Sequence, residues 1–305
     1  MSVAAGLIAS RFLHFAAVLL LFGAAAFPLY AYREGERSAQ SDALSARTRS
    51  ILLWSAILAL ISGILWLSFT SANMSGSVAG AIDPGIILTV IRETDFGRVW
   101  IWRLALAAIL VVVLLPKQRT DALALIQIAG AALLLTSIAE TGHSGADASS
   151  LSTLHVAADS LHLLAAGAWL GGLVPLALVL VENEATPSHR KLEILRRFSH
   201  MGYLAVAALV VSGVLNAWFL VGSIEAVLTT SYGQWLLAKI AVFLAMLALA
   251  AANRFWLVPG LAAHPLGGPA HTLSRLKLHV SGEQALGVAV VAIVAFLGTL
   301  APANG

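Results

Sequence analysis

The chain is dominated by long apolar runs separated by short polar stretches. Each run is about 20 residues long, the length that an α-helix needs to cross a hydrocarbon core of about 30 Å. The alternation of polar and apolar faces that is typical of soluble proteins is missing. This pattern predicts an all-α integral membrane protein with eight transmembrane helices. The predicted spans are Arg11–Tyr32, Ile51–Ser71, Arg98–Leu115, Asp121–Glu140, Leu154–Val181, Phe198–Val221, Gly233–Leu257 and Val280–Leu300.

Composition supports the membrane class and excludes several kinds of chemistry. Of the 305 residues, 59% are hydrophobic and 11% are charged, whereas soluble domains carry roughly 25% charged residues. The absence of cysteine excludes disulfides, thiolate metal sites and cysteine nucleophiles. The net charge of +3 is explained by basic loops and gives no reason to expect nucleic acid as a partner.

The distribution of basic residues predicts the orientation. Lys and Arg cluster in the loops that follow the odd-numbered spans, which the positive-inside rule makes cytoplasmic, so both termini are expected in the periplasm. The start of the chain also resembles a signal peptide, but cleavage after 24–26 would leave the next arginines outside, so a retained helix is favoured. The basic loop residues are Arg33, Arg37, Arg47, Arg49, Lys117, Arg119, Arg190, Lys191, Arg196, Arg197, Arg254, Arg275 and Lys277.

The first four spans resemble the last four. His14 is followed nine residues later by Gly23, as His162 is by Gly171, and Ser62-Gly63 matches Ser212-Gly213. A further pattern, T-x-[FY]-G-x5-[RK], occurs at 94–103 and at 230–239. These matches predict a 4+4 parallel internal repeat within one membrane domain, with residues 1–145 and 146–305 as the two four-helix units.

Histidines and carboxylates cluster at the predicted periplasmic ends of the spans. His155, Asp159 and His162 stand at i, i+4 and i+7, on one stripe of the fifth span. Glu140 and His143 end the fourth span, and His14 lies near the outer end of the first. Ionisable groups in a bilayer are costly and each needs a partner or a function. The six residues are therefore candidate metal ligands.

Two other interpretations of these residues stay open. In the first, the histidines are ordinary interfacial residues, with Arg103 and Lys239 acting as charge partners that hold Glu140 and Asp159 ionised. Imidazole with carboxylate suits copper(II), zinc or iron, but helix histidines also serve as axial ligands of haem. At the cytoplasmic side, His279 and Glu283 at i and i+4 are a candidate exit site.

Five segments resemble the copper resistance protein D family of bacterial inner-membrane proteins. The resemblance implies an eight-helix, multi-pass inner-membrane protein, surrounded by membrane lipids, that handles copper and acts beside a periplasmic copper-binding protein. The segments are Arg11–Phe15, Thr141–His143, Leu161–Leu173, Thr230–Lys239 and Asn253–Pro259.

The leading hypothesis is a copper transporter or metal-binding membrane protein, not an enzyme. It would move copper from periplasm to cytoplasm or supply cuproproteins, with His14, His143, His155, His162, Glu140 and Asp159 at the periplasmic capture site. The alternative is a b-type haem redox protein that acts on periplasmic copper or quinone. No ATP-binding loop occurs, so transport would run on gradients. The direction of transport, the coupling ion and the oligomeric state are left open.

Overall fold

The computed structural model describes residues 2–33, 42–116, 120–141, 150–182, 188–262 and 270–301, and over these ranges the chain is helical with no strand. Seven described helices are long and apolar enough to cross a membrane. They are α1 (Val3–Ala31), α2 (Asp42–Ser75), α4 (Asp95–Leu114), α6–α7 (Ser150–Ala166 and Gly172–Val181), α8 (Ser188–Val221), α10–α11 (Ser231–Ala252 and Val258–Ala262) and α12 (Ala270–Leu297). The shorter helices are α3 (Pro84–Glu93), α5 (Asp121–Thr136) and α9 (Ile224–Thr229).

The predicted all-helical membrane class is confirmed over the described ranges, where seven helices rather than eight are long enough to cross a membrane. The predicted fourth span corresponds to α5, which has 16 residues, ends at Thr136 and is followed by a 3-10 turn at Ala139–Thr141. The count of eight and the orientation of the termini therefore stay predictions. Several helices are longer than their apolar runs, because a helix continues into the polar interface where apolar residues stop.

Helix α1 is the most deeply buried of the long helices. It packs against α2, α5, α12 and the α6–α7 helix. At Gly23 it approaches the α6–α7 helix so closely that an added Cβ would overlap the backbone of Gly167 and Gly171. Glycine is required at this point because only a missing side chain lets two helix backbones come so close. The two glycines that the predicted repeat makes equivalent, Gly23 and Gly171, thus face each other.

The two T-x-[FY]-G segments have the same local geometry. The hydroxyl of Thr94 accepts a hydrogen bond from the Gly97 amide at 2.9 Å, and the hydroxyl of Thr230 accepts one from the Gly233 amide at 3.0 Å. Each threonine is the N-cap of a long helix and ends a short one, α3 before α4 and α9 before α10. The repeat itself stays a prediction, but its strongest motif is a helix-capping device in both halves.

Two π-helical turns interrupt the second half. The turn at Gly167–Gly171 joins α6 to α7, and the turn at Asn253–Leu257 joins α10 to α11. A π-helical turn adds one residue and shifts the register of the side chains that follow, which is common at functional sites. The Tyr30 hydroxyl donates to the Ala168 carbonyl at 3.0 Å within the first turn. The first turn carries Trp169 and the second begins at Asn253, and both residues are buried.

Candidate metal centre

His14 lies in a closed site in the first half of the chain. Its side chain is 1% exposed, and its Nδ1 atom lies 3.0 Å from the Ala59 carbonyl and 3.2 Å from the Ser62 hydroxyl. Its Nε2 atom lies 2.7 Å from a guanidinium nitrogen of Arg103. A guanidinium group can only donate hydrogen bonds, so Nε2 accepts and Nδ1 carries the ring proton. Both ring nitrogens of His14 are therefore occupied by protein groups.

Aromatic rings close the remaining sides of this site. The His14 ring contacts Trp66 and Trp100, with centroid separations of 5.7 and 5.4 Å, and the Trp100 indole donates to the Gly63 carbonyl at 2.8 Å. Arg103, which is 2% exposed, stacks its guanidinium over Trp100 at 4.9 Å. These contacts fix the imidazole and the arginine in one arrangement.

Arg103 is held mainly by neutral acceptors. It donates to the Leu134 carbonyl at 3.1 Å and to the Ser137 hydroxyl at 2.5 Å. Glu140, whose side chain is exposed in the 3-10 turn, interacts with Arg103 through its charge. Among the described residues, no ion pair within 4 Å joins the two. Glu140 thus interacts by charge with the arginine of the His14 site, and the 3-10 turn that carries it contacts both α4 and α6.

His162 has the same kind of partner as His14 but an open second nitrogen. Its Nδ1 atom lies 3.0 Å from the Ser212 hydroxyl, and that hydroxyl donates its single hydrogen to the Ala208 carbonyl at 2.5 Å. The Nδ1 atom must then be the donor to Ser212, which leaves the lone pair on Nε2. Within the described part of the chain, Nε2 has no hydrogen-bond partner. A neutral imidazole whose other nitrogen is held by a hydrogen bond is the usual form of a metal-ligating histidine.

The open nitrogen belongs to a residue that lines a cavity of about 270 Å³, called here the His162 cavity. Asp159, Asn216 and Lys239 also line it, and the Asn216 amide donates to an Asp159 oxygen at 3.1 Å. Asp159 interacts with Lys239 and His155 through its charge. The cavity walls come from both halves of the chain, since Arg11 and Trp66 contribute as well as α6, α8 and α10.

His155 lies one turn from Asp159 on α6. Its ring stacks on Phe219 with a centroid separation of 4.8 Å and an interplanar angle of 20°. The stacking restricts the ring to one plane, and Asp159 provides the nearest opposite charge. His155, Asp159 and His162 therefore form one row along α6, as the sequence spacing predicts, with His162 in the cavity wall.

The structure brings together part of the predicted ligand set. Asp159, His162 and Lys239 share a cavity, and His155 adjoins Asp159. His14 pairs with Arg103 in a separate site, while His143 lies outside the described residues. Over the described ranges, no group of three or more His, Asp or Glu is close enough to hold a metal ion. Metal binding by the predicted set stays a prediction.

Sequence reasoning assigned no role at the sites to several residues that the structure places there. Ser62 and Ser212 were visible as a repeated Ser-Gly pair, but nothing in the pattern showed that they bind the histidines. Asn216 resembles an ordinary helix-contact residue and instead bonds Asp159. The Asn253 amide donates to Glu283 at 2.6 Å, across a sequence separation of 30 residues. Spacing within one helix carries no signal for contacts between helices.

Two parts of the chain match known protein families. Residues 1–153 match a family model described as copper resistance protein D-like, N-terminal domain, and residues 192–297 match one described as copper resistance protein D. No solved structure gives a significant match.

Three curated relatives cover most of the chain. The chain is 30% identical to inner membrane protein YebZ of Escherichia coli strain K12, over 97% of this chain and 98% of the relative. It is 32% identical to copper resistance protein D of Pseudomonas syringae pv. tomato, over 97% and 96%. It is 33% identical to copper transport protein CutJ of Bacillus subtilis strain 168, over 81% of this chain and 46% of the relative. The predicted multi-pass inner-membrane location is confirmed.

Proposed function

Because this chain belongs to the copper resistance protein D family, we propose that it binds copper at the periplasmic face of the inner membrane and moves it towards the cytoplasm. Copper is the cargo in this proposal, not a resident cofactor. Copper is proposed as the metal because two relatives are named for copper resistance and copper transport. The residues of the second half supply the site.

The observation that carries the proposal is the state of His162. Its proton is directed to Ser212, and its Nε2 lone pair has no partner among the described residues. A lone pair on a fixed imidazole beside a cavity is what a copper ion needs as a first ligand. His14 does not offer this, because Arg103 occupies the corresponding nitrogen.

His155 and Asp159 complete the proposed capture site on α6. Asp159 offers carboxylate oxygens beside His162 and offsets the positive charge of Lys239, which would otherwise repel a cation in this cavity. His155 lies one turn from Asp159 on α6 and stacks on Phe219. It receives the ion before His162 or shares it with His162. His143 belongs to the segment that joins α5 to α6 and stays in the proposed ligand set. His14 and Glu140 do not bind the ion in this proposal: both interact with Arg103 and help to fix its position.

The proposed supplier of copper is a separate periplasmic copper-binding protein. The family resemblance implies this partner, and the proposed position of the capture row at the outer ends of the helices suits transfer from one. Copper captured at His162 would then pass inwards along the interface between the two halves. Movement requires a gradient as its energy source, since the sequence has no ATP-binding loop.

The proposal is tested by copper titration of the purified full chain. Wild-type protein should bind copper through imidazole nitrogen, and His162→Ala should lose that copper. His200→Ala is the matched control, since His200 is an exposed imidazole that does not line the His162 cavity. Unchanged copper stoichiometry and affinity in His162→Ala would contradict the proposal. A haem absorption band in the purified protein would instead support the b-type haem alternative.

Proteoliposomes test the movement of copper. Vesicles that contain the wild-type chain should accumulate copper faster than empty vesicles, and vesicles with His162→Ala should not. Equal uptake by wild-type and empty vesicles would contradict transport, and the chain would then be a copper-binding protein only.

A further inference from the structure

A second cavity lies on the other side of the first π-helical turn. It has a volume of about 310 Å³ and is called here the Glu283 cavity. Trp169 lines it, whereas the next residue, Leu170, lines the His162 cavity. The π-helical turn at Gly167–Gly171 therefore contributes one residue to each cavity. The polar residues that matter in the Glu283 cavity are Glu283, Asn253, Arg254 and Tyr203.

Glu283 is buried without a counter-charge. Its side chain is 3% exposed, and it accepts hydrogen bonds from the Asn253 amide at 2.6 Å and from the Trp169 side chain. Both donors are neutral. Over the ranges that the structure describes, no Lys, Arg or His forms an ion pair with Glu283. A carboxylate in such a place is expensive unless a cation reaches it.

Asp159 is the comparison for Glu283 in this protein, because it is a carboxyl group that has a counter-charge nearby. It also accepts from an asparagine, Asn216, but Lys239 lies close enough to interact with its charge. Glu283 has the asparagine and lacks the lysine. Asp159 therefore has a fixed cation nearby, whereas among the described residues no fixed cation pairs with Glu283, which leaves Glu283 to be neutralised by a mobile one.

Asn253 can serve Glu283 in two states. Its Nδ2 atom donates to Glu283, while its Oδ1 atom is buried with no hydrogen-bond partner. An amide that turns over would present the oxygen, which accepts a hydrogen bond from a carboxylic acid, in place of the nitrogen, which donates to a carboxylate. The same neutral side chain thus fits Glu283 with and without a proton.

The proton suits this site better than copper does. Glu283 is the only His, Asp or Glu among the described residues that line the cavity, and copper sites in proteins use several such ligands. Arg254 donates to the Tyr203 hydroxyl at 3.3 Å instead of to Glu283. Arg254 and Tyr203 are the other titratable groups among the described residues that line the cavity, and His279 stands one turn before Glu283 on α12.

We propose that Glu283, held by Asn253 and Trp169, is the proton-binding site that couples copper movement to a proton gradient. The carboxylate takes a proton from water in the Glu283 cavity to give a carboxylic acid and later returns it to water, with no other bond changed. The proposal rests on the proposed copper transport for the coupling, but the proton site itself does not depend on copper.

The coupling is tested in proteoliposomes that contain the full chain and a pH-sensitive dye. Wild-type vesicles should take up copper several-fold faster with an imposed pH gradient and should move protons with it. Glu283→Gln should lose the stimulation and the proton movement while it keeps the equilibrium copper affinity. Glu283→Asp should restore part of both. Glu225→Gln, which removes an exposed carboxylate outside both cavities, should behave as wild type.

Two results would overturn the inference. One is a Glu283→Gln protein that binds copper, moves protons and responds to the gradient as wild type does. The other comes from infrared difference spectra of the copper-free protein, in which the carboxylic acid band must titrate and must be missing from Glu283→Gln; a spectrum without that band contradicts the proton site. Wild-type protein that shows the band but binds no copper would contradict the proposed function alone.

Discussion

The two histidine sites of this protein use the same parts and differ in one contact. In the first half, His14 binds Ser62 through Nδ1 and Arg103 through Nε2. In the second half, His162 binds Ser212 through Nδ1, and its Nε2 has no described hydrogen-bond partner. The first site is a buried structural pair, and the second is a wall of a cavity.

The cation on the neighbouring helix accounts for the difference. Arg103 and Lys239 both stand six residues after the glycine of a T-x-[FY]-G segment. The forked guanidinium of Arg103 donates to the imidazole, a carbonyl and a hydroxyl at once. The single ammonium of Lys239 interacts through its charge with both Asp159 and His162, and among the described residues it forms no hydrogen bond to the His162 ring. One half therefore has a locked histidine, and the other keeps an imidazole nitrogen for a ligand.

Among the changes that test the difference between the two histidines, the largest expected effect is the loss of copper affinity on replacing His162. His162→Ala should weaken copper binding at least about 100-fold, because it removes the proposed first ligand rather than a group behind it. Equilibrium titration with a competing chelator measures the change. Retention of wild-type affinity would show that the open nitrogen has no part in copper binding.

The closed site should respond in stability instead. His14→Ala leaves a guanidinium nitrogen of Arg103 and the Ala59 carbonyl without their partner in a buried place, which should lower the free energy of unfolding by about 2–4 kcal/mol. Denaturation of the purified protein measures this loss, and His162→Ala is the control with a smaller expected loss. A His14→Ala protein as stable as wild type would contradict the assignment of a structural role.

Replacing the serine at each histidine should affect copper affinity at one site and not at the other. Ser212→Ala should weaken copper binding about 10-fold, because the imidazole loses one of the two acceptors, Ser212 and the Leu209 carbonyl, that fix its proton on Nδ1. Ser62→Ala should leave copper affinity unchanged, since His14 lies outside the proposed capture row. Paired titrations of the two variants give the comparison, and equal losses of affinity would argue against it.

The smallest effect is expected where the two halves are alike. Thr94→Ala and Thr230→Ala each remove one N-cap hydroxyl, and each should lower the free energy of unfolding by about 1 kcal/mol. Both measurements use the same denaturation assay. A large difference between the two would mean that the caps have unequal weight despite their matching geometry.

The long apolar helices and the common helix face of three polar residues could be predicted from the sequence because both follow from local pattern. An apolar run predicts a span, and the i, i+4, i+7 spacing of His155, Asp159 and His162 predicts one helix face. The sequence could not separate His14 from His162, because the difference depends on how far Arg103 reaches between helices. The hydrogen bond between Asn253 and Glu283 could not be predicted either, because Asn253 begins a π-helical turn and such turns leave no signature in hydrophobic periodicity. The helices α3 and α9 were too short to stand out from loops.

The central claim is that copper binds the open histidine of the second half. It is tested most directly by pulsed electron paramagnetic resonance of the copper(II)-loaded protein, which detects the remote nitrogen of a coordinated imidazole. The signal should be present in wild type and in His14→Gln, whose amide oxygen can still accept from Arg103, and it should be missing from His162→Ala. An imidazole signal that survives in His162→Ala and disappears in His14→Gln would contradict the claim.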